Sequence, residues 1–376
     1  MKYMGSKRAM LANGLGEALG HSVMEAKRVL DLFSGSGAVA WHIAETYEKE
    51  VVASDLQEYS VILAASVIER ATRMRDVTWG HTWIGRASSQ ILSLTSWRDI
   101  EMHQAELGKN EILQSVEEAR SIIFGEQFPI TKAYGGYYFS PWQALWIDAL
   151  RTTLPQGEMR RNVALAALIQ AASQCAAAPG HTAQPFKPNQ TAGPFLIEAW
   201  KRDLPRIVMA RLTDIASKNA KKVGRALCCD ALAIADEARP GDLAFVDPPY
   251  SSVHYSRFYH VLETVARGKV GAVSGVGRYP PSEERPTSAF SIKTKASNAL
   301  GELLALLARR RAGVVITFPA GLASNGLSGD DVKEIAMEHF YIKEEKVSSR
   351  FSTMGGNDKH RAARHYADEL ILTLSG

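Results

Sequence analysis

"KRVLDLFSGSGAVAWHIAETYEKEVVASD", Lys27 to Asp55, is the stretch whose reading decides the fold. A short β-rich run, Val29 to Phe33, empties into Ser34-Gly35-Ser36-Gly37. A helical period follows through Glu45, and a second strand ends on an acid, Asp55. Strand, glycine turn, helix, strand, acid is the opening unit of a doubly wound α/β sheet. The turn is short of a full G-x-G-x-x-G, because Ala40 stands in place of the third glycine. Such a turn lets a ligand approach the backbone at a helix N-terminus, although a merely tight turn would read the same. An acid about twenty residues on can hold ribose hydroxyls or cap the next helix. Together the pair points to an adenosine-containing ligand, without choosing between NAD and S-adenosylmethionine.

Further strands are expected at Arg225 to Cys229, Leu243 to Val246, Gly313 to Phe318 and Glu369 to Leu374. From Tyr59 to about Lys222 the chain is largely helical in period, far too long for a connection between neighbouring strands. It therefore reads as an inserted subdomain: residues 59–221 interrupt a catalytic domain made of 1–58 and 222–376. A length of 376 residues suits two compact units. Irregular, basic, Gly- and Ser-containing stretches run from Gly268 to Ser297 and from Ser348 to His365.

Hydrophobic residues at 46% and charged residues at 22% describe an ordinary soluble globular protein. Apolar runs such as Ala164 to Ala172 are too short for a membrane span, and no secretory signal is read. Three cysteines, two of them adjacent, suit neither a metal cage nor a disulfide framework, and a reduced, cytoplasmic location is expected. Cys228-Cys229 is expected within a buried strand. His360 and His365 lack a partner pair, so no metal is expected. No Pro-Cys pair occurs, which argues against covalent cytosine-C5 chemistry. The net charge of +4 is too small to argue for nucleic acid by itself.

"GDLAFVDPPYSSVHYSRFYH", Gly241 to His260, makes the choice that the glycine turn leaves open. A strand cannot continue through Pro248-Pro249, since proline donates nothing to the ladder. Asp247 and the Pro248 carbonyl would therefore present two acceptors at a strand's carboxyl end. Two converging acceptors suit an amino group. An amine conjugated to an aromatic ring is a poor nucleophile, because its lone pair is delocalised. Holding its protons while the nitrogen turns tetrahedral localises that pair, and a sulfonium methyl can then be attacked directly. Tyr250 would stack on the ring, and a base inside a duplex must be flipped out to reach such a pocket. A strand ending in a capped turn is the bland alternative.

Here the sequence resembles the Dam-like (D12 class) adenine-N6-specific DNA methyltransferases. The resemblance rests on "KYMGSK" (Lys2 to Lys7), "DLFSGSG", "RALCCDALAIAD", "DPPY" and "RFSTMGGNDKHRAARHYADELIL", in the family's order. Ser6 replaces the second glycine usual in the opening motif. The resemblance implies a Rossmann-like seven-stranded S-adenosylmethionine-dependent sheet with an inserted, mainly helical target-recognition subdomain. It implies S-adenosylmethionine contacts from Tyr3, Lys7, Asp31, Phe33, Ser34, Gly35, Ser36 and Gly37. Asp55 and Leu56 would lie at the ribose, and Asp230 and Ala231 at the adenine of the cofactor. Asp247, Pro248, Pro249 and Tyr250 would hold the flipped adenine. The implied partner is double-stranded DNA, with a cognate restriction endonuclease or defence-system proteins as a further class. An RNA adenine-N6 methyltransferase and a catalytically silent nucleic-acid-binding scaffold are the competing readings.

DNA must also be gripped outside the pocket. Tyr255 and Arg257 follow the motif directly. His181, Lys187, Arg278, Lys293 and Lys295 lie in basic loops with few acids, suited to phosphate contacts that position without reading sequence. Phe258 and Tyr259 read as packing residues, and Trp142, Leu145, Trp146 and Leu150 as the buried side of a helix.

Overall fold

The computed structural model describes residues 7–122, 124–350 and 366–376. Seven strands form one sheet among them: β1 (Arg28–Asp31), β2 (Glu50–Asp55), β3 (Arg225–Cys228), β4 (Leu243–Val246), β5 (Gly313–Pro319), β6 (Tyr341–Arg350) and β7 (Tyr366–Ser375). Their order is β3-β2-β1-β4-β5-β7-β6. The first five strands run parallel, while β7 is antiparallel to both β5 and β6. Sequence position runs outward from β1 in one direction and from β4 in the other, so the switch point lies between them. Ligands of open α/β sheets bind outside the carboxyl ends of strands at such a point. Asp31 pairs with Phe245 in register, so the glycine turn and the Asp-Pro-Pro-Tyr segment leave adjacent strands at the same level.

β1 and β4 are buried at every position, as strands covered on both faces must be. Leu300, Leu303, Leu304 and Leu307 recur at helical spacing in the helix Ala296–Arg309 and pack against Val246, Val314 and Ile316. Burying each such leucine contributes about 1.5–3 kcal/mol.

The described residues divide into two compact units. The sheet unit takes in residues 7–72, 219–255 and those beyond 285; the helical unit is 73–218 with 256–285. This differs from the boundaries expected at 58/59 and 221/222. The helix Glu58–Ile68 is apolar all round and packs on β2 and β3, so it belongs to the sheet. The helix His260–Arg267 packs on the helix Glu158–Cys175, which draws 256–285 to the helical unit.

Two smaller expectations also change. β3 is an edge strand, which leaves Cys228 exposed and Cys229 only half-buried. Ser348 to Arg350, expected as loop, extend β6 because β7 pairs with them residue by residue.

In the helical unit, Ser140 and Gln143 form a capping box that starts the helix Pro141–Thr152. Leu145, Trp146 and Leu150 of that helix are buried, and Trp142 meets Trp146 edge-on at 6.1 Å. Ser274 and Tyr279 pair across a tight finger whose Gly275 and Arg278 take left-handed backbone angles. The Tyr138 hydroxyl anchors that finger by donating to the Gly277 carbonyl at 2.9 Å.

Candidate active site

Four residues past β1 the chain turns sharply. The Ser34 amide donates to the Ser54 carbonyl at 2.9 Å and the Gly37 amide to the Ser34 carbonyl at 2.7 Å. Gly35 and Gly37 adopt φ of 49° and 73°, the left-handed region that favours glycine. A Cβ at Gly37 would also come within 3.3 Å of the Ala64 amide nitrogen. Asp55 closes the turn: its carboxylate accepts from the Gly35 amide at 2.9 Å and from the Gln57 amide at 3.0 Å. Burial pushes the Asp55 carboxyl above its ordinary pKa.

Asp31 ends β1 only 1% exposed; among the described residues no well-formed hydrogen bond reaches its oxygens, although the Phe33 and Ala40 amides face it. The Ser34 hydroxyl, three residues on, is also buried and has no partner among the described residues. Burial, then the charges of Asp247 and Asp55, push the Asp31 carboxyl up to about 8. A buried acid and hydroxyl poorly satisfied among the described residues, at a turn too tight for a Cβ, fit the ammonium end of a ligand such as S-adenosylmethionine. Ser36 is buried here, and Phe33 meets Phe290 edge-on at 5.0 Å. At the sheet's edge, exposed Asp230 caps the helix Ala231–Asp236 by accepting from the Leu232 amide at 2.9 Å. Ala231 is buried and Leu56 half-buried. Tyr3 lies outside the described residues.

The second half of the site follows β4. Asp247 Oδ1 accepts from the Thr317 hydroxyl at 2.9 Å and from the Lys7 ammonium at 3.0 Å. Oδ2 has no hydrogen-bond partner among the described residues. Burial raises the Asp247 pKa, with Lys7 and Thr317 pulling against it. Lys7, 4% exposed, also reaches the buried Glu369 of β7. Burial disfavours its charge, but the two carboxylates together outweigh that and raise its pKa. The Pro249 carbonyl accepts from the Asn325 side chain at 3.0 Å, and the Tyr250 carbonyl from the Asn325 amide at 3.3 Å. The Tyr250 ring stands edge-on to Phe318 at 6.3 Å. Tyr255 is hydrogen-bonded to Tyr250 and feels the Asp247 charge, and burial foremost raises its pKa well above the ordinary value. The structure thus brings Lys7, Asp31, Asp247 and Tyr250 together in one unit. It adds Thr317 and Asn325, which lie in no quoted motif, and Glu369, which lies in the closing-strand stretch but had no role read for it.

The residues expected on DNA behave differently from one another. Tyr255, expected at DNA, lies against the Tyr250 phenol because its half-buried side chain faces the Asp247 pocket. His181 packs on Phe258 at 5.1 Å, accepts from the Ala183 amide at 3.1 Å, and has its pKa lowered by burial. Lys187, Lys293 and Lys295 are exposed. The Arg257 guanidinium lies over the Tyr279 ring at 4.4 Å. Arg278 donates to the Ala133 carbonyl at 2.8 Å and lies over Tyr137 at 4.5 Å, where exposed Arg120 joins it at 4.3 Å. Arg120, missed in sequence, pairs with no motif; its helix brings it to the same ring. Phe258 and Tyr259 are core residues, as their apolar helix face requires.

Among the described residues no helix is long and apolar enough to cross a membrane, and no group of three or more His, Cys, Asp or Glu is placed to hold a metal. The family model of the D12 class N6 adenine-specific DNA methyltransferases matches residues 3–88 and 186–309, more than half of the chain. The chain is 27% identical over 321 residues to the type II methyltransferase M.FokI of Planomicrobium okeanokoites, covering 81% of this chain and 42% of that protein. It is 26% identical over 291 residues to the type II methyltransferase M.NlaIII of Neisseria lactamica, 72% of each. The modification methylase StsI of Streptococcus sanguinis is 24% identical over 314 residues, with 81% of this chain and 42% of that protein covered. The chain thus spans under half the length of two of these three relatives.

Proposed function

Since the chain belongs to the D12 class of N6 adenine-specific DNA methyltransferases, we propose that it methylates N6 of an adenine flipped out of double-stranded DNA. The observation that carries this reading is Asp247. Thr317 and Lys7 hold one of its oxygens and leave the other for an incoming donor.

When bound, S-adenosylmethionine supplies an electrophilic methyl group on its sulfonium. Asp31 and Ser34 hold its ammonium, the glycine turn lets the methionine part lie against the backbone, and Asp55 and Asp230 take the ribose and adenine ends. Asp247 Oδ2 and the Pro248 carbonyl accept the two protons of the target amine and localise its lone pair. Tyr250 stacks on the flipped base, with Tyr255 fixing its phenol. Preorganised acceptors of this kind dominate catalysis when charge develops at a known point. The helical unit supplies target recognition, and Arg120, Arg257 and Arg278, stacked on tyrosines and still charged, suit phosphates. Lys187, Lys293 and Lys295 add exposed cations. The named relatives are restriction-modification methylases, which supports modification of a cognate restriction site, in the cytoplasm.

Nucleoside mass spectrometry of DNA and RNA from methylation-free cells tests the reading, with wild type and Asp247→Ala compared. N6-methyladenine in DNA with wild type alone is expected. A mark in RNA only would make the substrate RNA, and none in either despite cofactor binding would leave a silent scaffold.

A further inference from the structure

Lys7 has more acid around it than Asp247 requires. Lys7 and Asp247 already make a neutral pair, and a second carboxylate at the same ammonium leaves these three groups with a net negative charge. Here the third charge is Glu369, 2% exposed, reached by Lys7 from the other side and sitting opposite Pro319 in the β5–β7 register. It meets Asp247 through the shared Lys7 ammonium. Among the described residues the other groups acting on or near Asp247 are Asp31 at the end of β1, the Thr317 hydroxyl of β5 and the Tyr255 phenol, itself bonded to Tyr250. Among the described residues Glu369 is the carboxylate that shares Lys7 with Asp247.

The consequence follows from charge alone. An aspartate fully committed to a lysine is a weak acceptor. A second carboxylate that shares the ammonium restores negative charge and basicity to the first. We propose that Glu369 is a positioning residue for methyl transfer: by holding Lys7 from behind, it keeps the Asp247 carboxylate a strong acceptor towards the target amine. This rests on the adenine-methylating reading above. In the step itself the N6 lone pair forms the new N–C bond while the S–C bond breaks with its electron pair going to sulfur. One proton of the now cationic nitrogen passes to Asp247 Oδ2 and from there to solvent. The more basic Asp247 is, the better it supports that charge as it develops.

The test is the pH profile of single-turnover DNA methylation. Taking away a negative charge near an acid lowers its pKa, so Glu369→Gln moves the acid limb to lower pH, by about 0.5–1 unit, and lowers the plateau about tenfold. Cofactor and DNA dissociation constants stay within about twofold. Glu369→Asp keeps the charge and holds the limb at its wild-type position. Glu369→Gln leaves the Lys7–Asp247 pair neutral and strands no lone buried charge, and thermal melting checks that both variants fold. A limb that stays put or moves up in Glu369→Gln would overturn the proposal. So would a Glu369→Asp limb that moves together with that of Glu369→Gln. A wild type that methylates no DNA at any pH would instead remove the reading on which the proposal rests.

Discussion

The Asn325 side chain ties Pro249 to the core of the sheet unit. Its Nδ2 donates to the Pro249 carbonyl at 3.0 Å and to the Phe290 carbonyl at 3.1 Å, while its Oδ1 accepts from the Leu327 amide at 3.2 Å. At 1% exposure every one of these bonds is dry, and no other side chain of that size both donates twice and accepts. Asn325→Leu should therefore let the two prolines drift, and a drift of about 1 Å costs roughly 10²-fold in rate. The single-turnover rate is expected to fall by about that factor, with cofactor affinity nearly unchanged. A variant that keeps more than half the wild-type rate would mean that the prolines hold themselves.

Asp31 gives the cofactor site a pH dependence of definite sign. Its folded pKa of about 8 stands above the ordinary carboxylate value, so without ligand it holds a proton at neutral pH. A cationic ligand needs the ionised form. Affinity for S-adenosylmethionine should therefore rise from pH 6 to about 8.5 and level off, with proton release on binding at pH 7 and little at pH 9. Calorimetry in two buffers of different ionisation heat reads this directly.

The same residue lowers stability. Between the unfolded pKa near 4 and the folded value near 8 only the folded chain binds the proton, so stability falls as pH rises through that window. Asp31→Asn should thus raise the ligand-free melting temperature at pH 8 by several degrees, abolish the pH-dependent part of that loss and weaken cofactor binding at least tenfold. A lower melting temperature in the variant would show that the acid is stabilised by something else.

Arg120 and Arg278 share the Tyr137 ring, neither in a salt bridge among the described residues, and burial, then the Arg278 charge, lowers the Arg120 pKa against Tyr137 and Glu117. If each meets one phosphate, Arg120→Gln should weaken DNA binding across all sequences and reduce the slope of log K against log salt by about 0.9. Cofactor binding is the control. An unchanged slope would assign Arg120 to the fold of its helix.

Gly37 cannot be replaced without cost. Its φ of 73° and the 3.3 Å approach to the Ala64 amide make Gly37→Ala strained twice over, at about 1–3 kcal/mol. Chemical denaturation should show that loss, together with loss of cofactor binding.

The glycine turn, Asp55 and the strand leading to Asp247 were legible because each breaks a local rule: glycines opening a helix, an acid ending a strand, prolines stopping a ladder. Thr317, Asn325 and Glu369 break none. A threonine on a β strand and an acid on a closing strand look ordinary, and only the parallel packing of β4 beside β5 and the return of β7 give them partners. Arg120 was equally silent, since an arginine near the end of a helix is the commonest of sights. The boundary of the helical unit was misplaced for a related reason. Helical period reports a helix, and whether that helix covers a sheet or another helix depends on neighbours far away in the chain.

β7 follows β6 in sequence and yet lies between it and β5. β6 therefore has no strand to pair with until β7 is made, and Lys7 precedes its partner Glu369 by 362 positions. Contacts of that span are slow to form. A chain interrupted before β7 would carry its Asp-Pro-Pro-Tyr segment with Lys7 held by Asp247 alone.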